Sequence, residues 1–186
     1  MSRKELSSNE LIERSLDKRV NREYKKKTAI RVIVEIVIAA LLVYVLFGVV
    51  FGIAIVRGDS MMPTFSKGSL CLFIRIDTAY SRGDAVIFTD SEGASAVKRV
   101  VAVGGDTVDI KDGKLFVNGE EENRITTAGV TEAYEDGISF PLTVERDKVF
   151  VLGDNRDGAV DSRVFGCIGT DIITGRILAE IRLFKR

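Results

Sequence analysis

The sequence lacks histidine altogether, and this absence excludes more than any other feature of its 186 residues. Without imidazole the chain cannot build a Ser-His-Asp or Cys-His catalytic unit, nor a zinc site that needs histidine. Two cysteines are also too few for a four-cysteine metal site. An enzyme built from this chain therefore needs Lys, Asp, Glu or Tyr as its proton-transfer base. The sequence predicts no cofactor and no metal.

Glycine and net charge are unevenly distributed. The first 47 residues contain no glycine, and residues 1–31 carry ten basic and five acidic side chains, a net charge of +5. Because the net charge of the whole chain is zero, residues 32–186 carry a net charge of −5.

An apolar stripe at helical spacing runs along this basic tail: Ile12, Leu16, Val20 and Tyr24. The tail is either an amphipathic helix on anionic lipid or a solvated segment. No basic patch of the kind that binds nucleic acid is present, so no nucleic-acid partner is predicted.

A long uncharged run follows the basic tail. Ile36–Val56 contains 21 residues without a charge, enough to span about 30 Å as a helix. A buried core helix and a cleaved secretory signal are the alternatives. The run is too long for a signal and begins too far into the chain. We therefore predict one transmembrane helix over residues 32–56. Lys25, Lys26, Lys27 and Arg31 precede it, which places the N-terminus in the cytoplasm and residues 57–186 outside.

Beyond the apolar run, the hydrophobic pattern changes to short strand-like segments separated by turn residues. The predicted strands are Leu70–Ile76, Ala85–Thr89, Ala96–Val103, Thr107–Ile110, Leu115–Val117, Lys148–Leu152 and Ile177–Phe184. Asp112-Gly113, between two of them, is a hairpin signal. The sequence thus predicts a mainly β, antiparallel domain over residues 57–186, with a small insertion near 107–147.

One serine and one lysine stand in settings that favour chemistry. Ser60 lies in a short loop between Gly58 and Pro63. Such a loop can expose a hydroxyl and leave backbone N–H groups free for an oxyanion; an ordinary turn serine is the alternative. Lys98 lies in a strand segment that is apolar on both faces, with small or β-branched neighbours. Desolvation there would lower the lysine pKa and make the amine a competent base. The alternative is a lysine whose stem crosses the apolar surface and whose ammonium reaches water. With no histidine available, Lys98 is the best-placed base for Ser60.

A polar cluster follows the predicted strand that ends at Leu152. It runs from Gly153 to Gly166 and is rich in ionised side chains. A solvated loop is one interpretation. The other is a hydrogen-bonded wall in which Asp161 or Asp154 pairs with Arg163 or Arg156.

Four sequence blocks, in this order behind one membrane helix, resemble the bacterial type I signal peptidases. They are Ser60-Met61-Met62-Pro63-Thr64, Arg82-Gly83-Asp84, Lys98-Arg99-Val100 through Gly104-Gly105-Asp106, and Gly153-Asp154-Asn155-Arg156 with Asp161-Ser162-Arg163 and Gly166. The resemblance covers most of the chain beyond Val56. The short chain and single anchor resemble the Gram-positive form.

The resemblance implies a fold, an activity and a set of residue roles. The fold would be the antiparallel β-sheet catalytic domain of that family, and the activity a serine endopeptidase that removes signal peptides on the outer face of the cytoplasmic membrane. Ser60 would be the nucleophile and Lys98 the general base. The Ser60 N–H would be one oxyanion donor, and Asp154, Asp161 and Arg163 would support the site.

The resemblance also implies partners. The substrates would be exported preproteins with small residues at positions −1 and −3, bound as an added β-strand. The lipid bilayer would be a second partner, and the export translocase is a further candidate.

Two positions depart from the family pattern. Some members carry a serine where this chain has Gly58, and its hydroxyl completes the oxyanion hole. Many members carry a serine where this chain has Ala159, and its hydroxyl helps to orient the lysine. Ser162 could compensate for Ala159, or Lys98 could be held by packing alone.

The sequence leaves two competing functions open. One is a self-cleaving repressor type of Ser-Lys protease, against which the membrane helix argues. The other is a catalytically weak relative that binds preproteins or scaffolds the export machinery.

Overall fold

The computed structural model describes residues 8–76, 79–90 and 93–181, with side chains from residue 16 onward. The chain divides into two compact units, with the boundary between Leu46 and Phe47. The first unit contains the helix α1, Ser8–Val45, which a π-helical turn at Leu46–Val50 extends. Within the described ranges, one helix, Leu16–Val50, is long and apolar enough to cross a membrane.

The predicted end of the transmembrane helix at Val56 is wrong. The helical conformation stops at Val50, and Phe51–Ile55 form a β-strand instead. That strand pairs residue by residue with Leu70–Ile74. Gly52 permits the pairing, because a Cβ there would lie 2.2 Å from an atom of the Phe73 ring. Hydropathy alone could not separate this apolar strand from the apolar helix before it.

The basic tail is helical from Ser8 onward and continues into the apolar segment without a break. Leu16, Val20 and Tyr24 of the predicted stripe are exposed, whereas the Ile12 side chain and residues 1–7 lie outside what is described. Ion pairs one turn apart, such as Arg31 with Glu35 at 2.9 Å, support the helix.

The described residues of the second unit form eleven strands in two sheets. They are β1 (Phe51–Ile55), β2 (Leu70–Ile74), β3 (Ala85–Thr89), β4 (Ser95–Val103), β5 (Thr107–Lys111), β6 (Lys114–Val117), β7 (Glu120–Glu121), β8 (Leu142–Thr143), β9 (Lys148–Leu152), β10 (Ile168–Gly169) and β11 (Ile173–Ile181). A short helix, α2, spans Ser162–Phe165. The last predicted strand begins at Ile173 rather than Ile177, and its predicted end at Phe184 lies outside the described residues.

The larger sheet has the strand order β1-β2-β11-β3-β4-β9-β10, and the smaller sheet has the order β7-β6-β5-β8. All strand pairs within both sheets are antiparallel. The prediction of a mainly antiparallel β domain is therefore confirmed. The Asp112-Gly113 hairpin is also confirmed, since both residues have positive φ angles, 50° and 73°, between the paired strands β5 and β6.

The two sheets share a hydrophobic core. Val101, Ala102, Phe150 and Leu152 of the larger sheet pack with Val108, Leu115 and Val117 of the smaller one. A separate cluster lies beneath the loop after β1 and includes Met61, Phe65 and Cys71. This second cluster fixes the position of Ser60.

Candidate active site

The loop that carries Ser60 is anchored at both ends. Val56 pairs with Ser69 through a 3.0 Å backbone hydrogen bond, which extends β1 towards the loop. Met61, directly after Ser60, is only 1% exposed and packs with Phe65 in the cluster beneath. Backbone bonds from Met62 N to Asp59 O (3.1 Å) and from Phe65 N to Met61 O (2.8 Å) close the turn. Ser60 is thus fixed by the buried residue that follows it.

Strand β4 places Lys98 opposite this loop. Lys98 pairs with Val86 of β3, and it is 6% exposed despite its charge-bearing head group. Both faces of the strand are covered by other parts of the protein, which agrees with its apolar sequence. Its neighbours Val100, Val101 and Ala102 are fully buried.

Ser60 and Lys98 are in hydrogen-bond contact. The Lys98 Nζ atom lies 2.9 Å from Ser60 Oγ. Burial lowers the pKa of the Lys98 amine; the Asp161 carboxylate opposes this by favouring the ammonium, and the Arg163 guanidinium adds to it. An ammonium would have three donors to satisfy, and among the described residues Ser60 Oγ is the only hydrogen-bond partner of Nζ. The surroundings therefore make Lys98 easier to deprotonate than an exposed lysine.

A backbone donor lies next to the Ser60 hydroxyl. Within the described part of the chain, the Ser60 N–H donates to no protein acceptor, so it is available to an oxyanion. Gly58 is exposed, and a Cβ built there would meet nothing within 4 Å. The position that carries a serine in some relatives therefore has room for one.

A groove of about 780 Å³ runs past Ser60 and Lys98. One wall is strand β1 with the residues up to Gly58, and the other is the segment 93–98 at the start of β4. Strand β1 is at the edge of its sheet, and β9 pairs with β4 only from Arg99 onward. Each wall thus offers a strand edge with free backbone groups.

The polar cluster after β9 forms a hydrogen-bonded wall, and its central pair is Asp161 with Arg163. Both side chains are almost completely buried. Asp161 accepts from Arg163 Nε and Nη2, each at 2.9 Å, and from Gly153 N at 3.0 Å. It also caps α2 by accepting from Arg163 N at 3.1 Å. The buried carboxylate is therefore fully satisfied.

Asp154 has a partner that the sequence interpretation missed. Its carboxylate accepts from Arg99 Nε at 3.1 Å and from Arg99 Nη2 at 2.5 Å. Arg156, the alternative partner, donates to Gly153 O and Thr131 Oγ1 instead. Strand alternation could have indicated this partner. Arg99 follows Lys98 and therefore points to the opposite face of the strand, which is also covered.

The second block of the resemblance, Arg82-Gly83-Asp84, holds the middle of β4 around Arg99. Gly83 O accepts from Arg99 Nη1 at 3.0 Å. The backbones of Gly83 and Asp84 each bond to Val100, at 2.8 Å. This turn therefore fixes the strand that carries Lys98.

Ser162 and Ala159 do not orient Lys98 through a hydroxyl. Ser162 is fully buried, and its Oγ accepts from Val151 N at 2.9 Å. Across the described residues no hydrogen bond joins it to Lys98, so it does not compensate for Ala159. Ala159 is also buried and lies against Gly153, where a built Cβ would come within 2.3 Å of the Ala159 Cβ. Lys98 is thus held by packing and by Ser60.

Gly153 of the polar wall lies close to the loop that carries Ser60. A Cβ at Gly153 would lie 2.6 Å from the Ser60 carbonyl oxygen. The same oxygen accepts from Asn155 N at 3.0 Å. No group of three or more Cys, Asp or Glu side chains that could hold a metal ion is found in the described ranges.

Comparisons with known proteins identify a family. The model of the family described as "Signal peptidase, peptidase S26" matches residues 29–181. Signal peptidase I P of Bacillus subtilis subsp. natto is 35% identical over 119 residues, which is 59% of this chain and 64% of the relative. The chain thus spans less than two thirds of that relative's length. Signal peptidase IB of Staphylococcus aureus (strain Mu50) is 30% identical over 139 residues, 66% of this chain and 73% of the relative.

A similar solved structure is the crystal structure of a signal peptidase I from Enterococcus faecalis V583. It has 29% sequence identity and a TM-score of 0.45, and it covers 54% of this chain and 97% of its own.

Proposed function

This chain belongs to the signal peptidases of the S26 peptidase family, and we propose that it is a membrane-bound serine endopeptidase that removes N-terminal signal peptides from exported preproteins. The observation that carries the proposal is the 2.9 Å contact between Ser60 Oγ and Lys98 Nζ in a chain without histidine. The lysine is buried and lies at a groove that a peptide strand can enter.

In the proposed acylation step, the Lys98 amine takes the proton of Ser60 Oγ as that oxygen attacks the scissile carbonyl carbon. The carbonyl oxygen becomes an oxyanion and accepts from the Ser60 N–H. The C–N bond then breaks, and the leaving amine takes from Lys98 the proton that came from Ser60. In deacylation the Lys98 amine deprotonates a water molecule, which attacks the ester carbonyl carbon. The ester C–O bond breaks, and Lys98 returns the proton to Ser60 Oγ, which regenerates both side chains.

The groove suits a short extended peptide. A substrate strand between the two free edges would pair through its main chain with β1 on one side and with 95–98 on the other. Ala54 and Ala96 are among the lining residues. We propose that the preprotein enters in this way, with small side chains at positions −1 and −3 facing the shallow apolar lining.

The supporting roles follow from the contacts of the wall. Asp154 fixes Arg99 and with it the strand of Lys98. Asp161 and Arg163 form the buried pair that holds Gly153, and Ser162 holds the end of β9. We propose that these four act on the site through structure and that Ser60 and Lys98 perform the chemistry.

The proposed location is the cytoplasmic membrane, with a single pass. The basic residues before the apolar helix, among them Lys25 and Arg31, support a cytoplasmic N-terminus. Residues 1–31 would be the cytoplasmic tail and residues 57–186 the catalytic domain outside. The bilayer would hold the enzyme beside emerging preproteins, and the export translocase is the candidate partner that delivers them.

The proposal is tested with the solubilised full chain and a matched pair of preproteins. One preprotein carries an Ala-X-Ala site, and the other differs only by a tryptophan at position −1. We expect cleavage of the first immediately after the second alanine and at least 100-fold slower cleavage of the other, because a bulky side chain does not fit a shallow pocket. No cleavage of either preprotein, or equal cleavage of both, would contradict the proposed function.

Gly58 favours the competing function, a weak relative that only binds preproteins, since it lacks the second oxyanion donor. We expect Gly58→Ser to raise kcat about fivefold, the effect of one added hydrogen bond of about 1 kcal/mol. Gly58→Ala is the matched control, because both substitutions fit the open space and only serine adds a donor. Equal kcat values for the two variants would show that no donor is missing at this position.

A further inference from the structure

The insertion between β4 and β9 folds back onto the polar wall. Arg163 Nη1 donates to Glu132 O at 3.2 Å, and Ile138 N donates to Arg163 O at 3.1 Å. Gly137 allows this approach, since a Cβ there would lie 2.4 Å from the same oxygen of Arg163. The turn 132–138 therefore encloses Arg163 from outside.

Tyr134, at the centre of this turn, contacts the wall at two points. Its ring faces Arg163, whose Cζ atom lies 4.8 Å from the ring centroid, a cation–π arrangement. Its hydroxyl donates to Ala159 O at 3.2 Å. The remaining 38% of its surface is exposed, so the residue does not form part of either hydrophobic core.

The contacts continue from Tyr134 to the nucleophile. Arg163 holds Asp161 through two side-chain bonds, and Asp161 holds Gly153 through its N–H. Gly153 lies against the Ser60 carbonyl, which accepts from Asn155 N. Each step is a hydrogen bond or a packed contact between neighbouring groups.

We propose that Tyr134 is a positioning residue for the Ser60–Lys98 pair, acting through Arg163 and the wall from Gly153 to Ala159. The inference rests on the proposed function. The ring keeps the Arg163 guanidinium in the plane that pairs with Asp161, and the hydroxyl holds the Ala159 end of the wall. Without them the wall gains freedom, and Ser60 spends less time in line with the amine and the scissile bond.

The partly exposed position of Tyr134 makes the inference testable, because Tyr134 belongs to none of the three hydrophobic clusters and its replacement leaves them intact. We expect Tyr134→Ala to lower kcat roughly tenfold with KM unchanged. Tyr134→Phe keeps the ring and loses only the hydroxyl, so it should retain most of the activity. Phe140→Leu is the matched control: it removes a ring from the same insertion, one that packs at 6.0 Å on Phe150 in the core and is separate from the wall.

A second measurement does not depend on activity. Amide hydrogen exchange of Gly153 and Asn155, followed by mass spectrometry of the full chain in detergent, reports directly on the wall. We expect exchange there to be faster in Tyr134→Ala than in the wild type and unchanged in Phe140→Leu, even though the control lowers the melting temperature.

The outcomes are distinguishable. Unchanged exchange at Gly153 and Asn155 in Tyr134→Ala would overturn the coupling. Faster exchange with wild-type kcat would overturn the positioning role, and so would an equal fall of kcat in Phe140→Leu. A wild type that cleaves no preprotein would instead contradict the proposed function, and the positioning role would fail with it.

Discussion

Lys98→Met is expected to lower kcat/KM for a preprotein on the order of 10⁴-fold or more, the loss found when a member of a nucleophile–base unit is removed. Methionine has nearly the length of lysine and fills the same buried volume, but it cannot accept the Ser60 proton. The kcat/KM of Ser60→Ala should fall to the same level. The kcat/KM of the double variant should fall no further, because the two side chains are proposed to act as a unit. Lys114→Met is the control, since Lys114 is an exposed lysine of the smaller sheet.

The pH dependence of the wild type follows from the same lysine. The pKa of Lys98 is lowered, chiefly by burial, and the proposed mechanism requires the neutral amine. Activity should therefore be lost as the pH falls below the depressed pKa and should rise as the pH passes through it, below the value of an ordinary lysine. A pH–rate profile of kcat/KM measures this limb. A flat profile from mildly acidic to alkaline pH would contradict a lysine base.

The stability of Lys98→Met separates lost chemistry from lost structure. In the unfolded chain Lys98 binds its proton up to its ordinary pKa, whereas in the folded protein it releases the proton at lower pH. Between the two values the unfolded state holds more protons, so stability rises with pH across that window, and the lysine destabilises the fold below it. The variant should thus melt at a higher temperature than the wild type at neutral pH. If Lys98→Met is inactive and its melting temperature lies below that of the wild type, lost structure rather than lost chemistry would account for its loss of activity.

Much of this arrangement could be predicted from the sequence because it depends on local patterns. The alternation around Lys98 indicated a strand covered on both faces, and residues 96–103 lie within β4 as expected. Asp112-Gly113 specified its own hairpin through two residues that tolerate positive φ. Because histidine is missing, the sequence predicted a lysine in an apolar strand as the base, and that lysine, Lys98, lies in contact with Ser60.

Long-range contacts could not be predicted in the same way. The end of the apolar helix depends on the pairing of β1 with Leu70–Ile74, a partner that local hydropathy does not contain. Asp154 pairs with Arg99 rather than with Arg156 because β4 lies beside β9 in the sheet. The contact of Tyr134 with Arg163 joins an insertion without strong periodicity to a distant loop, so no sequence signal marked it.

Gly153→Ala is expected to lower kcat by about 100-fold or more, the effect of a displacement near 1 Å at a reacting group. The new Cβ would lie 2.6 Å from the Ser60 carbonyl oxygen and 2.3 Å from the Ala159 Cβ. Neither neighbour can rotate away, because one is main chain and the other is a single methyl group. The loop of Ser60 must therefore move, while Lys98 stays fixed in its strand. Overpacking of this kind also destabilises the fold by about 1–3 kcal/mol.

A double variant resolves which contact matters. Adding Ala159→Gly to Gly153→Ala removes the clash between the two Cβ atoms but leaves the one with the Ser60 carbonyl. The melting temperature should then recover in part while kcat stays low, a separation that thermal melts and preprotein cleavage would reveal. Gly158→Ala is the control, because its new Cβ would meet only the flexible end of the Asn155 side chain, at 3.1 Å. Recovery of kcat in the double variant would show that Ala159, rather than the Ser60 carbonyl, transmits the displacement.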